Sequence, residues 1–300
     1  MKKLYNFINT LIVTLLLFSF AQLQAQINWV EYPGNPVYGE GTDPEGPYAA
    51  FPSIVYDEDK FSGHGEEYFY KMWYGEEGKI AVTYSDDGIN WTEGEVVLDE
   101  DNDNPPSNEP DKPCVNYYPD GFEGMDEGEE PSDETMYYKI WYWSGNKDYS
   151  SPLRYAESAD GEEWHNLQAL QMGSPPIVTG TNTWNKDAFN ICTVLDNPDA
   201  DNTGDDPFNY NYTMYYEAAK NEHAIGLGFS QNGITWTGYD ADDDGNAEPV
   251  FGGGGGSPWD QNHISAVTVI RNSEDDFEMF YSGDNGSGRA LGIGYAISGN

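Results

Sequence analysis

The stretch 84-YSDDGINW-91 recurs along this chain of 300 residues, with near-copies at 155-YAESADGEEW-164, 229-FSQNGITW-236 and 295-YAISGN-300. Aligned on the serine, the first three share Ser-x-(Asp/Asn)-Gly-x-x-Trp, at Ser85/Asp87/Gly88/Trp91, Ser158/Asp160/Gly161/Trp164 and Ser230/Asn232/Gly233/Trp236. Ser298 opens a fourth copy. The interval of about 70 residues is too long for a helical solenoid and suits one blade of a β-propeller. Asp-Gly or Asn-Gly supplies the positive φ of a tight turn, and the Trp three residues later is expected to pack between neighbouring blades.

The flanking segments keep register with the motif. Upstream stand the aromatic stretches 70-YKMWY-74, 138-YKIWY-142, 212-YTMYY-216 and 277-FEMFY-281, whose alternation of large apolar and polar residues reads as β-strand. Small-residue strands follow at 79-KIAVTYS-85, 153-LRYAES-158, 224-AIGLGFS-230 and 290-ALGIGYAIS-298, and apolar inner strands precede at 52-PSIVY-56, 113-PCVNYY-118, 191-ICTVL-195 and 266-AVTVI-270. Each unit thus predicts four strands, the outermost reached through the Asp-Gly turn.

Residues 1–25 read as a secretory signal, with Lys2 and Lys3 ahead of an apolar run over 11–20 and Ala25 at the expected cut. The run is shorter than the roughly 20 residues a membrane span needs. Residues 26–300 are then an exported propeller domain, secreted, periplasmic or on the cell surface, with no membrane insertion of the mature chain. Its 53 acidic and 13 basic residues give a formal charge of −40, a field that repels phosphate backbones and anionic lipid. Nucleic acid is excluded as a partner on this reading. Neutral ligands and cations are favoured, and the 15% aromatic content suits stacking on sugar rings.

The pattern resembles the five-bladed β-propeller superfamily of glycoside hydrolases, the arabinanase, levansucrase and invertase group that includes families 43, 32 and 130. The phrases that carry the resemblance are 35-NPV-37, 70-YKMWYG-75, 83-TYSDDGINW-91 and 249-PVFGGGGGSPWD-260. It implies an all-β fold of five four-stranded blades, of which four are visible and the fourth is cut short at Asn300, so a closing fifth blade is expected beyond it. It also implies a carbohydrate-active protein that hydrolyses glycosidic bonds of a poly- or oligosaccharide.

A propeller's pocket is lined by the residues that open its inner strands. By that criterion Asp43, Glu45 and Asp187 are the candidate catalytic carboxylates, and Glu109, Asp111, Trp184, Trp259, Asp260 and His263 the candidate substrate-binding residues. Two carboxylates facing each other across a sugar serve as general acid and as base or nucleophile. The family resemblance places its base directly before the Pro of the first inner strand, where this chain has Phe51 ahead of Pro52, and a carboxylate after the second-blade Pro, where Cys114 stands. A non-catalytic propeller that binds glycan or a partner is the alternative. His64, His165 and His223 lie in polar, turn-like settings and carry no signal.

Asp240, Asp242 and Asp244, followed by Gly245, resemble the opening half of an EF-hand loop and are expected to hold a structural Ca²⁺; Phe251 stands where the twelfth-position Glu would be. Similar alternations occur at Asp99, Asp101 and Asp103 and within 196–206. No organic cofactor is expected. Ungapped alignment puts Cys114 and Cys192 at one place on adjacent inner strands, leaving open a disulfide or two buried thiols.

Overall fold

The computed structural model describes residues 33, 37–39, 49–99, 109–125, 131–144, 153–178, 184–185, 187–197, 200–203, 207–219, 223–252, 259–260, 263–273, 276–285 and 292–298, with the backbone alone for 123–125, 131–134, 187–192, 207, 219 and 273. The expected signal segment and the expected closing blade lie outside these residues. The chain divides into Met1–Pro36 and Val37–Asn300. Every described strand belongs to the second unit.

The fold is an all-β propeller. Its first blade runs β1 (Ala50–Tyr56), β2 (Tyr70–Gly75), β3 (Ile80–Ser85) and β4 (Glu95–Leu98), and its second β5 (Pro110–Met125), β6 (Pro131–Ser144), β7 (Leu153–Ser158) and β8 (His165–Ala169), each in simple antiparallel order. After the short β9 (Gln171–Met172), the third blade is β10 (Asp187–Asp196), β11 (Tyr212–Ala219) and β12 (His223–Ser230), with its outer strand split into β13 (Thr235–Gly238) and β14 (Pro249–Gly252), both paired with β12. The fourth comprises β15 (His263–Ser273), β16 (Asp276–Asp284) and β17 (Gly292–Ile297).

The repeated motif is both a turn and a lock. Ser85 Oγ accepts the Gly88 N–H at 2.9 Å while Asp87 Oδ1 accepts those of Ile89 and Asn90 at 2.8 and 2.7 Å. The Ser158/Asp160 and Ser230/Asn232 copies repeat this. Gly88, Gly161 and Gly233 have φ of 73, 85 and 77°, which glycine adopts at no steric cost. The carbonyls so presented are used by the preceding blade: Trp73 Nε1 donates to Gly161 O at 2.8 Å and Trp141 Nε1 to Gly233 O at 2.7 Å. A Cβ at Gly161 would stand 2.7 Å from the Trp73 ring, so glycine serves the close approach as well as the turn.

Side chains also link the inner strands around the axis. Val115 N–H donates to Ser53 Oγ at 2.9 Å, Asn116 and Tyr118 donate to Asp196 at 2.8 and 2.6 Å, and Val269 N–H donates to Thr193 Oγ1 at 3.1 Å. What buries a side chain here is the adjoining blade. Ile54 is 53% exposed on β1, although its register equivalents Val115, Val194 and Val269 are 6, 5 and 4% exposed. On β17, Ile293 and Tyr295 are 72 and 55% exposed, whereas Ile80 and Val82 at the matching places on β3 are 0%.

Each inner strand carries a one-residue bulge where it opens. The register shifts between Ala50 and Ser53, Asp111 and Cys114, and Ser265 and Thr268, with Phe51, Lys112 and Ala266 at φ of 53, 54 and 49°. β10 takes up two extra residues, one between Ala188 and Asn190 and one between Ile191 and Thr193. This corrects the ungapped alignment of the cysteines. Cys114 pairs with Trp141, but the matching residue of β10, paired with Tyr215, is Thr193. Cys192 falls one residue ahead of Cys114's equivalent, at the register shift itself. Cys114 is a free thiol, its burial pushing the pKa up to about 12.

Candidate active site at the mouth of the inner strands

The bulges define a mouth. Its first ring consists of the inner-strand residues Ala50, Asp111, Asn190 and Ser265, paired across the ladder with the matching positions Gly75, Trp143, Glu217 and Ser282. Asp111 is half-buried against Gly75, where an added Cβ would collide with its Oδ1, and it accepts the Lys112 N–H at 2.8 Å. Burial raises its carboxyl above the usual range, opposed by the Lys112 N–H and charge. A carboxyl raised on folding binds more protons in the native state, so its contribution to stability falls as pH rises through the folded pKa. Asp111→Asn is therefore expected to melt above wild type at pH 7 and to lose that advantage below about pH 4, the unfolded aspartate range; thermal melts across pH measure it.

Glu217 is the carboxylate that the second strand of the third blade brings to this level. It is buried, one oxygen lies 2.5 Å from His223 Nδ1, and the other accepts the N–H of Ala266, the bulge residue of β15, at 3.5 Å. His223 opens β12 and pairs in parallel with His263, which opens β15. The two imidazoles lie 4.6 Å apart, and His263 Nδ1 faces Asp284 Oδ2 at 3.8 Å. A row Glu217, His223, His263, Asp284 thus crosses from the third blade to the fourth. A carboxylate beside Nδ1 orients an imidazole and leaves Nε2 for proton transfer.

The sequence-based candidates divide. His263 belongs to the row. Asp43 and Glu45 lie outside the described residues, as does the side chain of Asp187, whose backbone opens β10 opposite Ala219, two residues from Glu217. Glu109 is exposed and lies over Gly78. Trp184 and Trp259 hold matching posts: each is half-buried and stacks on the last ring of its aromatic stretch, Tyr216 at 6.1 Å and Tyr281 at 5.7 Å. Trp184 Nε1 donates to Ala247 O, and Tyr281 OH donates to Asp260 at 3.0 Å. Glu217, His223 and Asp284 escaped sequence reasoning. The available signal was a Glu at a strand position occupied by Gly75, Trp143 and Ser282 in the other units.

Between β13 and β14, ligand oxygens of Asp240, Asp242, Asp244 and Glu248 lie within 4.8 Å of one another and could hold a cation. Glu248 supplies the fourth carboxylate sought at position 251. Two members of the other acidic runs are engaged by protein donors, Asp196 by Tyr118 and Asn116, Asp201 by Thr203 and Asn209.

The sequence matches no protein-family model and no curated protein. Solved structures share its fold. A glycosyl hydrolase from Bacteroides ovatus is similar at 16% identity and a TM-score of 0.52, over 84% of this chain and 66% of its own. A structure from the GH130 family of mannoside phosphorylases, which contains glycoside hydrolases that target β-1,2 mannosidic linkages in Candida mannan, is similar at 15% identity and 0.50, over 84 and 66%. A thermostable family-43 glycoside hydrolase is similar at 14% and 0.50, over 83 and 68%. The chain spans about two thirds of the length of these proteins. At this identity the likeness is one of fold.

Proposed function

We propose that this chain is the propeller of an exported glycoside hydrolase that cleaves a poly- or oligosaccharide at the mouth of the inner strands. The observation that carries the reading is the buried Glu217 beside His223, adjoining His263 and Asp284, on a fold shared with glycoside hydrolases. In such a reaction an acid protonates the glycosidic oxygen as its bond to the anomeric carbon breaks. Water adds to that carbon, and a base takes the water's proton. The Glu217–His223 pair can hold the proton to be given, and Asp111, Asp187 and the segment containing Asp43 and Glu45 are the carboxylates available as base.

The test is a panel of arabinan, xylan, fructan and mannan oligosaccharides assayed with the intact chain and with Asp187→Asn. Loss of a catalytic carboxylate lowers turnover by about 10² to 10⁴. Unchanged turnover in the variant removes Asp187 from the mechanism. The second reading, a glycan-binding propeller, is favoured by Phe51 standing where the resembling enzymes keep a base; binding without turnover across the panel would select it.

The cluster of Asp240, Asp242, Asp244 and Glu248 fits a structural Ca²⁺ that staples the loop between β13 and β14, the same loop whose Ala247 carbonyl receives Trp184. Chelation is expected to lower the melting temperature, and Asp242→Ala to do the same and abolish the response to chelator, because an ion at 100 times its Kd stabilises by about 2.7 kcal/mol. Identical melts with and without excess chelator would leave the loop a solvated linker.

A further inference from the structure

Away from the mouth, a groove of about 380 Å³ runs between the outer strand of the first blade and the motif turn of the second, lined by β4 with Asp160, Glu162, Glu163 and Trp164. Its size falls in the range of small-ligand sites. Trp164 distinguishes it from the other two motif turns. Trp91 and Trp236 donate their indole N–H to the glycine carbonyls of their own turns, at 3.2 and 2.8 Å. In the second blade Gly161 O accepts from Trp73, while Trp164, only 7% exposed, has no hydrogen-bond partner for Nε1. A buried donor left unsatisfied costs free energy that a ligand can recover.

The lining selects the ligand. Asp160 Oδ1 is held by the turn N–H groups of Glu162 and Glu163, and Glu162 accepts the Tyr84 hydroxyl at 2.6 Å. Glu95 and Glu163 are exposed. Carboxylates ask for donors, and the indole N–H asks for an acceptor. An ammonium offers donors alone; an anion offers acceptors alone and meets four carboxylates. A hydroxyl offers both, and the exposed Val96 adds an apolar contact for C–H groups.

We propose that this groove is a second carbohydrate site, taking one or two rings of a neutral saccharide with a hydroxyl oxygen on Trp164 Nε1–H and hydroxyl donors on Glu95 and Glu163. The N–H is closed off from bulk water, so the rim side chains shift as the sugar seats.

Neutral xylo-, manno-, cello- and laminaritetraose are titrated into the ¹⁵N-labelled chain, following the Trp164 indole resonance identified by its absence in Trp164→Phe. At least one sugar is expected to move that resonance, and its binding at the groove to weaken about 3- to 10-fold in Trp164→Phe, which loses one hydrogen bond, and in Glu163→Gln, which keeps an acceptor and loses its charge. Glu163→Gln removes an exposed charge and leaves the fold intact, so its result stands even if Trp164→Phe fails to fold. A resonance unmoved by every sugar, or undiminished binding in Glu163→Gln, overturns the proposal. Turnover without a groove shift refutes this site alone; a groove shift without turnover refutes the hydrolase reading and leaves this site standing.

Discussion

Glu217→Gln lowers turnover of a hydrolysed oligosaccharide by about 10² to 10⁴ while leaving the melting temperature within a few degrees of wild type. The substitution keeps size and the acceptor for Ala266 N–H but removes the charge beside His223 Nδ1. Without that charge the imidazole loses the partner that fixes its tautomer and orientation. His223→Ala should cost a similar factor, and the double variant little more than either, because residues acting as one unit are not additive. Additive losses in the double variant would show that the two do not work together. A KM rise at constant kcat would make Glu217 a binding group.

Trp141→Ala destabilises the chain by about 3 to 5 kcal/mol, a large share of the 5 to 15 kcal/mol that holds a typical domain together. Trp141 is fully buried, packs against Tyr155, Tyr212 and Trp236, and donates to Gly233 O in the next blade. Removing it opens a cavity at the junction of two blades and takes away one of the two indole donors to Gly233 O, leaving that of Trp236. Trp141→Phe keeps most of the ring and loses the N–H, so its cost should be nearer the roughly 1 kcal/mol of one hydrogen bond. Urea unfolding gives both values. A loss below about 1 kcal/mol for Trp141→Ala would mean that this junction contributes little to cohesion.

The blades were legible because their signals are local. The Ser-x-Asp-Gly-x-x-Trp turn, the aromatic strand and the small-residue strand lie within one unit, and their spacing survives insertions elsewhere. The lock was half legible: the motif Trp was expected between blades, yet the indoles that cross the junction to Gly161 and Gly233 are Trp73 and Trp141 of the aromatic strands. The inner strands were aligned one residue out in the third and fourth units because their bulges leave no mark in composition. The Glu217 row was not legible. It depends on register across the hairpin of β11 and β12 and on a parallel contact between β12 and β15, the second set by the packing of one blade against the next. Glu248 was missed for a smaller reason, the assumption of a twelve-residue loop.

Hydrolysis at the mouth is measured most directly by product analysis in H₂¹⁸O, with and without phosphate, for the oligosaccharide panel. The expected result is a free sugar carrying ¹⁸O from water at a rate indifferent to phosphate, as suits a chain of charge −40 that disfavours an anionic co-substrate. A sugar phosphate formed only when phosphate is present, or intact oligosaccharides throughout, would contradict it.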